Sequence, residues 1–304
     1  MIEKFKIFCA VAETRSVSKA SKIVHITQPA VTLQIQAIEE LFETKLFDRT
    51  GNSLRLTQAG EILYKHAQDI LKTYAILEKD IGKITGTIKG GVTIGASTTL
   101  GNYVLPEIII GFKKRHPKIK INMQIGNTRR IEDLLTSGFI DFGLVGGKPL
   151  KSSLKVETIM SDELVFIIPP FHPWSKKSVI SIFETIKEPF ILREEGSGTR
   201  QKVEEYLESH GIGIDRLHTV LVLGSNESIK EAVRAGIGIS IISRLSVQKE
   251  IDEGKLKIVT PREEKIQRNL SLIIPQKAHF PHAVEEFIFF IKKYIHENFM
   301  SEKM

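Results

Sequence analysis

One cysteine in 304 residues, Cys9, leaves no partner for an intramolecular disulfide and no multi-cysteine zinc site. It lies in the apolar run Ile7-Phe8-Cys9-Ala10-Val11, where it reads as a small buried hydrophobe. That run is far below membrane-spanning length, is followed by Glu13 and lacks a signal-peptide cleavage pattern, so the sequence predicts a cytoplasmic protein without a membrane span. Short-period repeats and low-complexity tracts are also missing.

Catalytic signatures are scarce as well. Gly143-Leu144-Val145-Gly146-Gly147-Lys148-Pro149 resembles a phosphate loop, but its first glycine is one residue too close and Pro149 replaces the magnesium-binding Ser or Thr. Gly236-Ile237-Gly238 begins like a dinucleotide fingerprint, yet Ile241 stands where the third glycine belongs. Neither H-E-x-x-H nor G-x-S-x-G occurs. His210, His218, His279 and His282 show no ligand spacing on one element. These absences argue against an enzyme, a metal site and a resident cofactor.

What is present is a foldable, basic chain. Hydrophobic residues make up 41%, enough for two or three compact units, and a formal charge of +7 suits a polyanionic partner. The first 58 residues read as helices and turns followed by one short strand. Phe5, Phe8 and Ala12 mark the inner face of a first helix, Thr14-Arg15-Ser16 breaks it, and Ser18 to Val24 reads as a second. His25-Ile26 is a turn. Thr27 suits the N-cap of a third helix running to about Phe42, with Pro29 tolerated in its first turn. Val31, Ile35, Ile38 and Phe42 share one face of that helix; Gln28, Pro29, Thr32, Leu33 and Gln36 share the opposite one. Lys45 to Asn52 then reads as a polar turn flanked by short extended stretches, with a strand run at Ser53 to Leu56.

From Thr57 to Ile84 the chain has no proline, and Leu63, Ala67, Ile70, Tyr74, Leu77, Ile81 and Ile84 repeat at alternating spacings of four and three. This is a heptad seam. A long helix packed on its own domain gives the same stripe. Polar neighbours and the lack of a matching stripe nearby favour a seam between two chains, a homodimer. Gly82 to Gly91 reads as a hinge. Beyond it, strand-like runs alternate with amphipathic helices through Asn298, which predicts α/β units on mainly parallel sheets.

The N-terminal strings closely resemble the LysR-type transcriptional regulators: Phe8-Cys9-Ala10-Val11-Ala12-Glu13, Ser16 to Ser21, Thr27-Gln28-Pro29-Ala30-Val31-Thr32, Ile38-Glu39, Leu46-Phe47-Asp48-Arg49 and Leu56 to Gly60. Asp141 to Val145 and Ala235 to Ile239 look like two further family landmarks. The resemblance implies an α plus α/β fold: a winged helix-turn-helix (1–58), a linker helix (59–87) and an effector-binding region (88–304). That region would have two α/β subdomains resembling periplasmic binding proteins, about 91–160 with 268–304, and 161–267. The chain would cross between them near Met160-Ser161 and Lys265-Ile266. The resemblance also implies a homotetramer built from two kinds of dimer. Departures from the family pattern are Ser21, Thr32, Phe42 and above all Leu33, where many members carry a basic residue facing DNA.

The third helix suits the major groove of double-stranded promoter DNA. Gln28 and Gln36 match an adenine edge; Thr32 and Leu33 suit a phosphate or a thymine methyl; Ser18, Thr27, Pro29 and Arg49 complete the expected DNA-binding set. Residues 1–60 balance to only +2, so two copies on two half-sites are needed for useful affinity. The run Glu195 to Arg200 resembles that of regulators linked to sulfur assimilation and carbon fixation, which implies sulfate, sulfite, or a phosphorylated or carboxylated metabolite; the residues themselves lead us to expect a small anion as effector. Two strand-to-helix turns motivate this, Ala96 to Thr99 and Glu195 to Arg200, each with hydroxyls and free backbone N–H groups. The expected site is Ser97, Thr98, Thr99, Asn127, Thr128, Ser197, Gly198, Thr199, Arg200 and Ser225. Glu195 opposes an anion there unless it turns away or pairs with Arg193 or Arg200. A solute-binding transport protein would account for residues 91–304, but leaves residues 1–87 unexplained.

Overall fold

A computed structural model describes residues 1–24, 26–50, 53–85, 90–276, 278 and 280–300. The expected turn residues His25, Gly51 and Asn52, part of the hinge, and His279 lie outside the described residues. The chain opens with α1 (Ile2–Thr14), α2 (Val17–Ile23) and α3 (Gln28–Leu41). Arg15 ends α1 in the left-handed region at φ 51°, and Ser16 Oγ accepts the Lys19 N–H to start α2. Thr27 Oγ1 accepts the Ala30 N–H at the start of α3, with Pro29 in the first turn. Glu43, at φ 50°, turns the chain after α3. A hairpin of β1 (Phe47–Thr50) and β2 (Ser53–Leu56) forms the wing. Phe8, Val11, Ala20, Val31, Ile38 and Leu46 are its buried core.

Glu39 ties α3 to the wing. Its carboxylate accepts the Leu46 N–H at 2.9 Å and pairs with Lys45 at 2.8 Å. Burial pushes its carboxyl up, but these bonds and the Lys45 charge outweigh it, and the group stays below the usual glutamate range.

The long helix α4 (Gln58–Thr85) corrects part of the expected seam. Ala67 is fully buried against α1, and Leu63 and Leu71 pack on the same cluster as Phe5, Phe8 and Cys9. The matching stripe does exist: it is α1. Leu63 and Ala67 therefore face their own domain, while Ile70, Leu77 and Ile81 remain exposed and Tyr74 half-buried.

The second half alternates as expected. First come β3 (Gly90–Ser97), α5 (Thr98–Tyr103), α6 (Leu105–Arg115), β4 (Ile119–Gly126), α7 (Thr128–Thr136) and β5 (Phe142–Gly146). Then follow β6 (Leu154–Ile168), β7 (Val179–Ile180), β8 (Pro189–Arg193), α8 (Gly198–Ser209), β9 (His218–Leu223) and α9 (Asn226–Arg234). The chain closes with β10 (Ser240–Ser243), α10 (Gln248–Asp252), β11 (Lys257–Pro261), β12 (Ile266–Pro275) and α11 (His282–Ile295). Strands β4, β3 and β5 are parallel, as are β8 and β9. β7 and β11 are parallel too, but the expectation of mainly parallel sheets fails around β6 and β12: β12 runs antiparallel to β5 and β6, and β10 and β11 run antiparallel to β6.

The reason is that β6 and β12 serve both subdomains. Met160 and Leu270 join one core, around Ile94, Phe112, Phe142 and Phe287. A few residues along the same strands, Leu164, Phe166 and Ile266 join another, around Trp174, Phe190 and Leu207. Two paired strands crossing in opposite directions must be antiparallel. They bring the C-terminal ends of β3 and β8, with their helix-starting turns, face to face.

Candidate effector cleft and nucleic-acid interface

On α3 the outward face is as expected. Gln28, Pro29, Thr32, Leu33 and Gln36 are exposed, Leu33 by 63%, while Val31 and Ile38 are buried beneath. Gln28 Nε2 donates to Ser18 Oγ at 3.2 Å, linking the two helices of the motif and fixing the glutamine's direction. Thr32 Oγ1 donates to the Gln28 carbonyl at 3.1 Å. Val17, Gln28, Pro29, Thr32 and Leu33 line one shallow hollow. Arg49 stands in β1; its side chain lies outside what is described.

Between the subdomains, most of the expected effector residues meet. Ser97, Thr98, Thr99, Asn127, Thr128, Ser197, Gly198 and Thr199 line one cleft, joined by Gly146, Arg193 and Arg268, with about 190 Å³ of empty space. That space holds roughly one water, so the two turns stand closed on each other. Gly198 permits that closeness: a Cβ there would lie 1.4 Å from the Gly146 carbonyl oxygen. Thr128 Oγ1 donates to the same oxygen at 2.8 Å. Across the gap, Asn127 Nδ2 donates to Glu194 Oε1 and to the Glu195 carbonyl.

Two buried arginines supply the positive charge. Arg193 donates through Nη1 to Asn226 Oδ1 at 2.8 Å and to Thr98 Oγ1 at 3.2 Å, and through Nε to Glu194 at 2.8 Å. Burial pushes the Glu194 carboxyl up, but the Arg193 bonds and charge outweigh it and hold the group below the usual range. Arg268 donates to Thr199 Oγ1 at 2.8 Å, to Thr99 Oγ1 at 3.1 Å and to Asp162 at 2.8 Å. It thus touches the first turn of a helix in each subdomain. Asn226 Nδ2 donates to Thr99 Oγ1, so one hydrogen-bonded chain runs from Asp162 through Arg268, Thr99 and Asn226 to Arg193 and Glu194. Ser97 Oγ is different: it is buried at the cleft and has no partner among the described residues.

Two expectations need correction, those for Arg200 and Ser225. Arg200 does not reach the cleft; Glu204 holds it at 2.7 Å, one helical turn away, and it lines a neighbouring hollow of about 750 Å³ with Arg129 and Lys148. Ser225 caps α9 and bonds Ser228, while the next residue, Asn226, is the one that turns inward. Glu195 is exposed, and the carboxylate paired with Arg193 is Glu194. Arg268 was the residue sequence reasoning missed. Its signal is alternation: Ile266, Arg268 and Leu270 all face inward along β12, so an arginine occupies a core-facing position.

A helix-turn-helix with a free reading face, joined through a long helix to a two-lobed ligand-binding fold, defines a ligand-responsive DNA-binding transcription regulator. Residues 2–61 match the family model described as "Bacterial regulatory helix-turn-helix protein, lysR family", and residues 85–295 match "LysR substrate binding domain". The chain belongs to the LysR-type transcriptional regulators. It is 32% identical to the HTH-type transcriptional regulator CysL of Bacillus subtilis, covering 88% of this chain and 89% of that one. It is 33% identical to a probable RuBisCO transcriptional regulator of Cyanidium caldarium, over 94% of this chain and 91% of that one. Among solved structures, the regulatory domain of Synechocystis CcmR in complex with 2-PG aligns with a TM-score of 0.64 and 27% identity, covering 69% of this chain and 99% of that one. Full-length OxyR from Pseudomonas aeruginosa, at 19% identity, shares the fold, with a TM-score of 0.67 over 97% of this chain and 94% of that one. Among the described residues, no helix is long and apolar enough to cross a membrane, and no group of three or more side chains could hold a metal ion.

Proposed function

We propose that this regulator senses a small anion, held between the subdomains by Ser97, Thr98, Thr99, Thr128, Ser197 and Thr199 with Arg193 and Arg268. The single observation that carries this reading is Ser97 Oγ, a buried hydroxyl with no partner among the described residues, on the same cleft lining as two buried guanidiniums. An unmet buried hydroxyl costs free energy that a bound oxyanion would recover. As it stands the cleft is charge-balanced, Glu194 against Arg193 and Asp162 against Arg268. An anion would therefore bind by taking up N–H and O–H donors now shared among neighbours. The α7 and α8 N-termini would add partial positive charge. The 2-PG complex of the CcmR regulatory domain supports a phosphorylated or carboxylated ligand.

An anion larger than water cannot enter without parting the two turns, so occupancy is coupled to the angle between subdomains. Through the hinge and α4 that angle sets the spacing of two helix-turn-helix units in a dimer, and a tetramer would extend the same logic. The exposed Ile70, Leu77 and Ile81, with Tyr74, form the dimer seam. The chain acts by binding, with no catalytic step. Operator binding measured by fluorescence anisotropy with sulfate, phosphate and 2-PG, at matched ionic strength, tests the proposal. At least one anion should shift operator affinity in wild type and not in Thr98→Ala or Ser197→Ala. Anion effects equal in all three proteins would contradict it.

A further inference from the structure

Residues 108–131 contain seven Lys or Arg and no Asp or Glu, so this one stretch equals the entire +7 charge of the chain. Five of the seven fall between Lys113 and Lys120, at the end of α6 and the start of β4. Part of the cluster has a structural task. Lys113 Nζ donates to the Pro117 and Ile119 carbonyls at 2.8 and 2.7 Å, and Arg115 lies over the Phe290 ring at 5.2 Å. Cations in the last turn of α6 also favour its dipole. Lys118 and Lys120 lie beyond that helix. With Lys114 they are exposed, and among the described residues none of the three side chains makes a hydrogen bond or ion pair. The neighbouring His116 is the group that faces a carboxylate, Glu286 at 3.8 Å.

The position of the cluster decides what it can meet. Gly90 and Gly91 pair with Ile119 and Lys120, so the lysines stand at the edge where the chain arrives from the DNA-binding half. The parallel strands β4, β3 and β5 all begin at this edge. The turn leading into β5 lies there too, and it meets α2 of the helix-turn-helix: a Cβ at Gly138 would be 3.4 Å from Ile23 Cδ1. The most basic end of the first subdomain thus faces the DNA-binding side, whose own first 60 residues balance to only +2.

We propose that Lys114, Lys118 and Lys120 form a second DNA contact, a sequence-independent seat for the phosphate backbone flanking the bases read by α3. Three flexible ammonium groups without base-reading geometry suit phosphates as point charges. The contact would supply charge that the weakly basic helix-turn-helix lacks. It would also make affinity depend on the path of the flanking DNA.

The test is the salt dependence of operator binding by the full chain carrying K114Q, K118Q and K120Q together. Two duplexes from its own upstream DNA are compared, one with long flanks and one trimmed to the two half-sites. Each lost phosphate contact lowers the slope of log K against log salt by about 0.9. On the long duplex the slope should fall by roughly 2 to 3; on the trimmed duplex it should match wild type. The triple Lys→Arg variant, which keeps the charge, should restore the wild-type slope. A wild-type slope on the long duplex, or an equal loss on both, would overturn the proposal. So would loss of promoter response with both slopes intact, which would give the patch to an acidic protein instead.

Discussion

Arg268 and Asp162 face each other across β12 and β6 where both strands pass between subdomains, with guanidinium and carboxylate 2.7 Å apart and buried. Asp162 also accepts the Ser243 hydroxyl at 2.8 Å, so the pair is satisfied on both sides. It gives the two crossing strands a fixed register while Arg268 reaches on to Thr99 and Thr199. Removing one partner strands the other as a buried charge. Arg268→Met should therefore cost about 3–5 kcal/mol. Adding Asp162→Asn should recover most of that loss. Urea denaturation of the two single variants and the double variant measures it, and purely additive losses would contradict the coupling.

The corrected seam makes a sharper prediction than the heptad alone. Ile70→Lys and Leu77→Lys change exposed positions, so the monomer should fold while the dimer and operator binding are lost. Ala67→Lys changes a fully buried one and should unfold the DNA-binding half instead. Sedimentation velocity with circular dichroism separates the two results. Dimers of wild-type strength from both exposed variants would remove α4 as the interface.

Much of this was legible in the sequence because the signals are local. The cap Thr27 announces the start of α3, and the three-to-four and two-residue periods mark helices and strands; Ser16, read only as a break, proves to be the cap that starts α2. The hydroxyl-rich turns at Ser97 and Ser197 were readable for the same reason, and the fold brings them together. What stayed hidden depends on partners distant in the chain. Ala67 is buried by α1, some sixty residues earlier, and no heptad count distinguishes that from a second chain. Arg193 ends an apolar strand and meets Thr98, in the other subdomain, and Asn226, 33 residues on, only in the folded chain. Arg200 looked the better ligand by sequence, but the i to i+4 spacing that places Glu204 beside it takes it away.

Two exposed residues on α3 carry the base-reading expectation. Thr32→Ala and Gln36→Ala leave the buried Val31 and Ile38 untouched, so the fold should survive. Each lost base contact should weaken specific binding by roughly 1–3 kcal/mol. Anisotropy with cognate and scrambled duplexes checks this, and wild-type discrimination in both variants would rule out that face.

Glu39 gives a pH dependence of known sign. Its carboxyl stays below the ordinary glutamate value near 4.5, so its contribution to stability is present above that value and is lost as pH falls through the lower folded value. Glu39→Gln should destabilise the protein at pH 7 by about 1–2 kcal/mol, and the difference should fade in acid. Denaturant midpoints across pH 3 to 7 would show it; a difference constant with pH would contradict it.

The anion cleft is tested most directly by calorimetric titration of sulfate, phosphate and 2-PG into wild type and Ser97→Ala. Because Ser97 Oγ has no partner among the described residues and its burial costs free energy, removing it should hold or raise thermal stability. If that hydroxyl donates to the bound anion, affinity for whichever anion wild type binds should fall roughly tenfold. Equal affinity in the two proteins, or binding of none of these anions by wild type, would contradict the account.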